Sequence, residues 1–277
     1  MRLFLRQLRR RPTALVGFVL LVALSVVAVF APMIAPYDPM KLSVSHRLEA
    51  PSAEHLMGTD DFGRDILSRV VYGARLSLMT GAAISALSAC LGLVLGIISG
   101  FYRWPALVLM RIVDALMAFP SILLALAITA ITGKASLTNV IIALAVVYTP
   151  QMARIGYSAT LTIRQNLYVE ACRAIGVSNV RVMFRHVLPN FVSLVIVQTT
   201  FIFGWAILGA AALDFLGVGT PPSVPAWGAM VNGGRIYISR APWMILFPGA
   251  FVFMTVLALN LLGDALRDML DPQLRKL

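Results

Sequence analysis

Side chains able to do chemistry are sparse in this 277-residue sequence, and they do not fall into the spacings that catalysis requires. No Gly-x-x-x-x-Gly-Lys-Ser/Thr run is present to wrap phosphates in backbone N–H groups. Gly133-Lys134 lacks both the upstream glycine and the following hydroxyl. Asp61-Phe62-Gly63 has the residues of a kinase magnesium motif, but no catalytic loop accompanies it. His46, His55 and His186 are scattered without metal-ligand spacing, and no nucleophile elbow occurs. The residues therefore predict no catalytic group, no metal site and no cofactor held by this chain.

A second group of chemical residues stands inside apolar runs, where a charge costs a few kcal/mol even on lenient insertion scales. Asp114 follows Arg111 by three residues, so the two share one helix face and a structural ion pair is the plainer expectation. Asp214 falls near the end of another apolar run, within reach of interfacial water. Both acids are candidates for pathway or structural roles. A proton relay needs several acids or histidines in series, which the sequence does not supply.

The elements that position these residues follow from composition. The chain is 59% hydrophobic and 13% charged, against roughly 45–50% and 25% for soluble domains. That excludes a disordered chain, a disulfide scaffold and a typical soluble enzyme. With about 20 apolar residues per crossing, the sequence holds six spans. They fall at about 13–35, 76–101, 106–132, 137–159, 191–217 and 243–263. The fold class is an all-α integral membrane protein. The expected organisation is 1–35 as N-terminus and first span, 36–75 as an extracytoplasmic segment, and 76–277 as a core of five spans. Pro120 and Pro150 are expected to kink the third and fourth spans, and Gly92, Gly96 and Gly100 to let the second approach a neighbour closely. The formal charge is +11. A six-span topology places 15 of the 23 Lys and Arg residues on the side of the termini and 8 on the other. That bias predicts both termini in the cytoplasm, so the positive excess reads as a partner to anionic lipid rather than to nucleic acid.

The basic inner segment 160–190 is the most informative. Tyr168 to Ile175 reads as a short helix, Gly176 as its left-handed terminator, and Ser178 or Asn179 as the cap of a second helix. Helix, glycine turn and helix make a rigid knob. Two readings of it stay open: an amphipathic helix lying among lipid headgroups, or a docking surface for a soluble partner.

Glu170-Ala171-Cys172, Gly176 and Leu188-Pro189 have the spacing of the EAA motif, and on that basis the sequence resembles the permeases of ABC importers. Cys172 and His186 depart from the general pattern, at the third residue and at the isoleucine position. Arg185-His186-Val187-Leu188-Pro189-Asn190 is similar to the peptide and nickel branch. So are Gly58-Thr59-Asp60 to Gly63-Arg64-Asp65 with Arg69, Phe215-Leu216-Gly217 to Trp227-Gly228, and Asn260 to Pro272. The resemblance, to the C-type subunit of dipeptide, oligopeptide and nickel importers, covers nearly the whole chain. It implies a type I importer permease with a cytoplasmic coupling helix around Glu170–Gly176. ATPase coupling would run through Tyr168, Glu170, Ala171, Cys172, Ala174, Gly176, Val177 and Ser178, and beyond the turn through Arg185, His186, Leu188 and Pro189. It further implies a second permease subunit, two cytosolic ATP-binding subunits that carry ATP and magnesium, and an extracytoplasmic solute-binding protein. Asp214 stands where serine is expected in the family. The implied cargo is a di- or oligopeptide, with nickel or metal chelates, glutathione and opine-like solutes as alternatives. A stand-alone secondary transporter or channel is the competing reading from another class; it would need paired broken helices or several buried ionisable groups.

Overall fold

A computed structural model describes residues 12–132 and 135–270. The N-terminal arginine cluster, Gly133-Lys134 and the last seven residues lie outside them. The described residues form helices joined by coil, with no strand among them beyond one isolated bridge between Thr59 and Asp65. The helices are α1 (Pro12–Val29), α2 (Ile66–Phe101), α3 (Arg103–Met117), α4 (Ser121–Thr132) and α5 (Leu137–Ile163). They continue with α6 (Leu167–Ala174), α7 (Asn179–Val182), α8 (Val192–Phe215), α9 (Trp227–Gly234) and α10 (Trp243–Leu270).

Five helices are long and apolar enough to cross a bilayer, or six crossings if the α3–α4 pair counts as one. That pair departs from expectation. The run at 106–132 is not one span kinked at Pro120 but two helices bent by 100° at the break. Proline disfavours helical backbone at the residue before it, and Ala118 closes α3 by turning its N–H onto the Asp114 and Ala115 carbonyls. Pro150 and Pro248, by contrast, sit inside continuous helices.

The segment expected to stay outside over 36–75 ends as coil at Asp65, and residues 66–75 form the first turns of α2. At about 1.5 Å per residue a 36-residue helix exceeds the roughly 30 Å apolar layer by a wide margin. Its polar first turns carry Ser68 and Arg69, both buried in the polar cap that folds over them. Hydropathy marks where the apolar run begins, not where the helix does.

α2 packs along α5, and α8 lies against α10, α2 and α5, with α1 laid over α10 and α2. The central core joins Ile84, Ala125, Leu144, Met152, Ile202 and Leu213 from four helices. The expected close approach is the α2–α5 contact. A Cβ on Gly92 would stand 2.6 Å from Met152 Cβ, one on Gly96 2.5 Å from the Ala153 carbonyl, and one on Gly100 2.5 Å from Thr160 Cβ. Gly96→Val therefore forces the two backbones apart; the expected result is a loss of roughly 1–3 kcal/mol or more. Gly204→Ala, whose added Cβ would meet Leu259 Cβ at 3.6 Å and Asn260 Oδ1 at 3.8 Å, both ordinary contacts, leaves stability nearly unchanged. Thermal unfolding of the two variants in detergent compares them directly.

The chain arranges its polar material at two opposite ends. The knob end gathers the ends of α2 and α5, residues 164–191, and the terminal turns of α1 and α10, where Ala14 packs on Ala265 and Met269. The cap end gathers residues 36–65, Ala135 and the 217–242 region.

Candidate functional site

At the knob end, α6 stops in a Schellman turn. The Gly176 N–H donates to the Arg173 carbonyl at 3.0 Å and the Val177 N–H to the Cys172 carbonyl at 3.0 Å, with Gly176 at φ +79°. Only glycine adopts this conformation without steric cost, so the turn read from sequence is present. Ser178 occupies the cap position of α7 but its side chain makes no capping bond, so the backbone alone sets that helix. Beyond α7 the chain passes through a π-helical turn, Met183–Val187, and a 3-10 turn, Leu188–Phe191, before entering α8. Pro189 at the second position of that 3-10 turn supplies no N–H of its own.

The knob is fixed from beneath. Val169, Val182, Met183, Val187 and Phe191 are buried against Ile97 and Phe101 of α2. Arg164, which the sequence reading passed over, donates from Nη1 to the Gly100 carbonyl at 2.9 Å and the Phe101 carbonyl at 3.3 Å. It thereby satisfies the orphan end of α2. Arg173 stacks over the Phe101 ring at 4.7 Å. The Tyr168 hydroxyl donates to the His186 carbonyl at 3.3 Å, and the Asn190 amide donates to the same carbonyl at 2.6 Å. The tyrosine bond closes α6 onto the π-helical turn.

The opposite surface of the knob is open. Leu167 is 83% exposed and Ile175 80%, beside exposed Val180 and Phe184. Glu170, Ala171, Ala174, Gly176, Ser178, Arg185 and Pro189 share that exposure, while Cys172, Val177, His186 and Leu188 are half-buried. The structure thus brings the twelve predicted coupling residues into one small solid.

At the cap end the predicted motif residues form a bonded lattice. Asp65 caps α2: its Oδ2 accepts from the Ser68 N–H and hydroxyl, both at 2.7 Å, and its Oδ1 meets His55 Nδ1 at 3.0 Å. Asp60 Oδ1 accepts from the N–H groups of Phe62 and Arg64, each at 2.9 Å. Its Oδ2 takes Arg64 Nε at 2.6 Å and faces Arg69 Nε at 3.6 Å. Arg69 also donates to the carbonyls of Pro39 and Pro222, which ties both outer loops to α2. Gly58 and Gly63 have φ of +74° and +72°. A Cβ on Gly63 would fall 1.7 Å from the Ser43 carbonyl oxygen. Thr59 offers its carbonyl to Trp243 Nε1 at 3.1 Å. Burial, aided by the Asp60 carboxylate, raises the Asp61 carboxyl above its ordinary range, against the opposing pull of Arg64 and Arg47.

Two membrane-level expectations change. Asp114 pairs with Arg154 of α5, not with Arg111, so the ion pair joins two helices instead of stapling one. Both partners are half exposed, and Asp114 lines a cleft together with Arg103, Arg111 and Tyr157. Asp214 does not reach out to interfacial water. It is buried, and its Oδ1 accepts from the Thr220 N–H at 2.6 Å and hydroxyl at 2.8 Å. The turn passes so close that a Cβ on Gly219 would stand 2.0 Å from that oxygen. Asp214 thus shapes the loop that closes a cavity of about 290 Å³, with Asp60, Arg69, Asn232 and Arg235 on its walls. Asp214→Ala strands the Thr220 donors, with an expected cost of about 1–3 kcal/mol. Asp214→Asn keeps an acceptor and costs less; melting temperatures of the two variants separate them.

A bundle of membrane-crossing helices, with a bonded polar cap at one end and an exposed rigid knob at the other, defines a multi-pass membrane protein. Residues 92–276 match the family described as the binding-protein-dependent transport system inner membrane component, and residues 1–51 match the N-terminal TM domain of oligopeptide transport permease C. The chain is 47% identical to a putative peptide transport system permease protein of Brucella suis biovar 1, over 98% of this chain and 91% of that protein. It is 45% identical to the dipeptide transport system permease protein DppC of Alkalihalophilus pseudofirmus, over 98% and 89%. It is 41% identical to the glutathione transport system permease protein GsiD of Pectobacterium atrosepticum, over 99% and 91%. The fold matches a chain of the inward-facing MetNI methionine ABC transporter with a TM-score of 0.60 at 19% identity, over 72% of this chain and 94% of that one. The chain belongs to the inner membrane components of binding-protein-dependent transport systems, the ABC importer permeases, in the peptide/oligopeptide branch. A permease of this family works with an ATPase and a solute-binding protein.

Proposed function

We propose that this chain forms one half of the translocation pathway of an ATP-driven importer of di- and oligopeptides, paired with a second permease subunit. The observation that carries the coupling assignment is the knob itself. It presents bulky apolar side chains outward on a helix stopped by a fixed glycine turn, while its inner face is packed on the end of α2. Two cytosolic ATPases, which hold the ATP and magnesium, seat one such knob each, and the chain itself performs no catalysis. Both termini and the knob lie in the cytoplasm, and the cap receives the solute-binding protein on the opposite side.

Force transmission follows from the packing. Conformational change requires a ligand that binds two states differently, and nucleotide on the ATPases supplies that difference. Closure of the ATPases moves the knob, and the Arg164 bonds and the buried valines carry that displacement to the end of α2. Because α2 and α5 touch backbone to backbone along Gly92, Gly96 and Gly100, the two helices move as one body. A soft interface would absorb the stroke.

The peptide assignment is supported by relatives at 45–47% identity named as peptide or dipeptide permeases. Glutathione is the second reading, supported by relatives at 41–43%. Native mass spectrometry of the ligand carried by the cognate binding protein decides between them. A periplasm-active reporter fused near Ser52 is expected to be active and one near Ser178 silent; the reverse pattern overturns the orientation. Uptake by the purified chain alone, without ATP, would favour a secondary transporter.

A further inference from the structure

We propose that the cap holds a divalent first-row transition-metal ion, of the zinc class, between His46, Glu49 and His55. These residues are scattered in sequence without ligand spacing, yet the fold brings one donor atom of each within 4.8 Å of the others. Donors around a tetrahedral zinc at bond lengths of about 2.0–2.2 Å lie roughly 3.3 Å apart. His46 Nδ1 and Glu49 Oε1 already stand 3.0 Å apart. Their side chains are 39% and 41% exposed, so His46 and Glu49 have room to draw in towards His55.

The surroundings prearrange the three donors. His55 is buried and places its Nδ1 3.0 Å from the Asp65 carboxylate. That carboxylate–histidine pairing fixes the ring and leaves Nε2 to a metal. Asp65 is itself immobilised as the cap of α2. The Thr59 hydroxyl donates to the His46 carbonyl and accepts from the Glu49 N–H at 2.9 Å, which locks the backbone beneath both remaining donors. Between them Leu48 adopts φ +54°, the one described non-glycine residue with positive φ. A branched side chain held in that region marks a backbone constrained by its neighbours, and here the constraint sets His46 and Glu49 side by side. A cavity of about 140 Å³ lined by His46, His55 and Asp65 opens beside the cluster, giving an ion an entry route and a fourth ligand, water, a place. Two imidazoles and one carboxylate suit zinc better than calcium or magnesium, which prefer all-oxygen shells. Occupancy would join residues 46, 49 and 55 to the start of α2 and stiffen the outer face.

The test is a Zn²⁺ titration of the purified full chain in detergent, carrying an affinity tag without histidine, against a competing chelator. One equivalent is expected to bind. His46→Ala and Glu49→Gln, both at partly exposed positions, are each expected to weaken it at least tenfold with the elution profile and helicity unchanged. His186→Ala and Cys172→Ser, at the knob end, are expected to bind as the parent does. A Co²⁺-loaded sample should show the intense visible bands of a tetrahedral site, lost in His46→Ala. Absence of stoichiometric binding overturns the proposal, and so does binding that survives both His46→Ala and Glu49→Gln or disappears in His186→Ala.

Discussion

Gly176→Pro is expected to abolish ATP-driven uptake while the chain still inserts in the membrane. The residue sits at φ +79°, and proline is confined near −65°. The substitution also deletes the N–H that bonds the Arg173 carbonyl, so the turn cannot survive as a Schellman motif. No side chain crowds the position: a Cβ there would meet nothing within 4 Å. The damage is therefore conformational, and confined to the path between α6 and α7. Refolding of that path shifts Leu167, Ile175, Val180 and Phe184 relative to one another, and the ATPase loses a surface of defined shape. The backbone cost alone is on the order of 3 kcal/mol. Gly176→Ala, which asks an L-residue to enter the left-handed region at about 1–2 kcal/mol, is expected to leave partial uptake. Glu170→Arg leaves the turn intact and reverses an exposed charge, so it too should reduce uptake while the chain inserts. Uptake of labelled substrate and retention of the ATPase on the purified permease, measured together, check the series. Parental values of both for Gly176→Pro would remove the knob from the mechanism.

Asp60→Ala is expected to be the most damaging change at the other end. The carboxylate faces Arg64 and Arg69, all three nearly buried, and accepts two backbone N–H bonds besides. Removing one partner of a buried ionic group leaves uncompensated charge, at a cost of about 3–5 kcal/mol. Arg69 would then hold Pro39 and Pro222 without its counter-ion, and both loops of the cap should loosen. The expected result is a lower melting temperature, faster proteolysis within residues 36–65, and loss of stimulation by the binding protein. Asp60→Asn keeps the Oδ1 acceptor for Phe62 and Arg64 and should retain part of the fold. A normal melting temperature for Asp60→Ala would show that the lattice is not what holds the cap.

Five of the six spans were legible because a crossing demands about 20 apolar residues, and the glycine turn because only one residue type fits it. Other features depend on partners that hydropathy does not reveal. The start of α2 was hidden because Ser68 and Arg69 are polar, yet they are buried by bonds to Asp65, Pro39 and Pro222. Arg111 was the nearby partner for Asp114, whereas the bend at Pro120 and the α3–α5 packing deliver Arg154, forty residues away. Asp214 read as an interfacial acid because the returning Gly217–Thr220 turn that covers it is set by a left-handed glycine and a missing Cβ, not by apolar pattern. His46 and His55 read as scattered because a loop with no periodicity brings them together.

The knob had two readings in sequence, among lipid headgroups or against a soluble partner, and one measurement separates them. A photo-crosslinking amino acid placed at Ile175, exposed at the crown of the turn, is irradiated in native membranes and the products are identified by mass spectrometry. A covalent adduct with the cytosolic ATP-binding subunit, lost when that subunit is absent, is the result expected here. Adducts with lipid alone would contradict it.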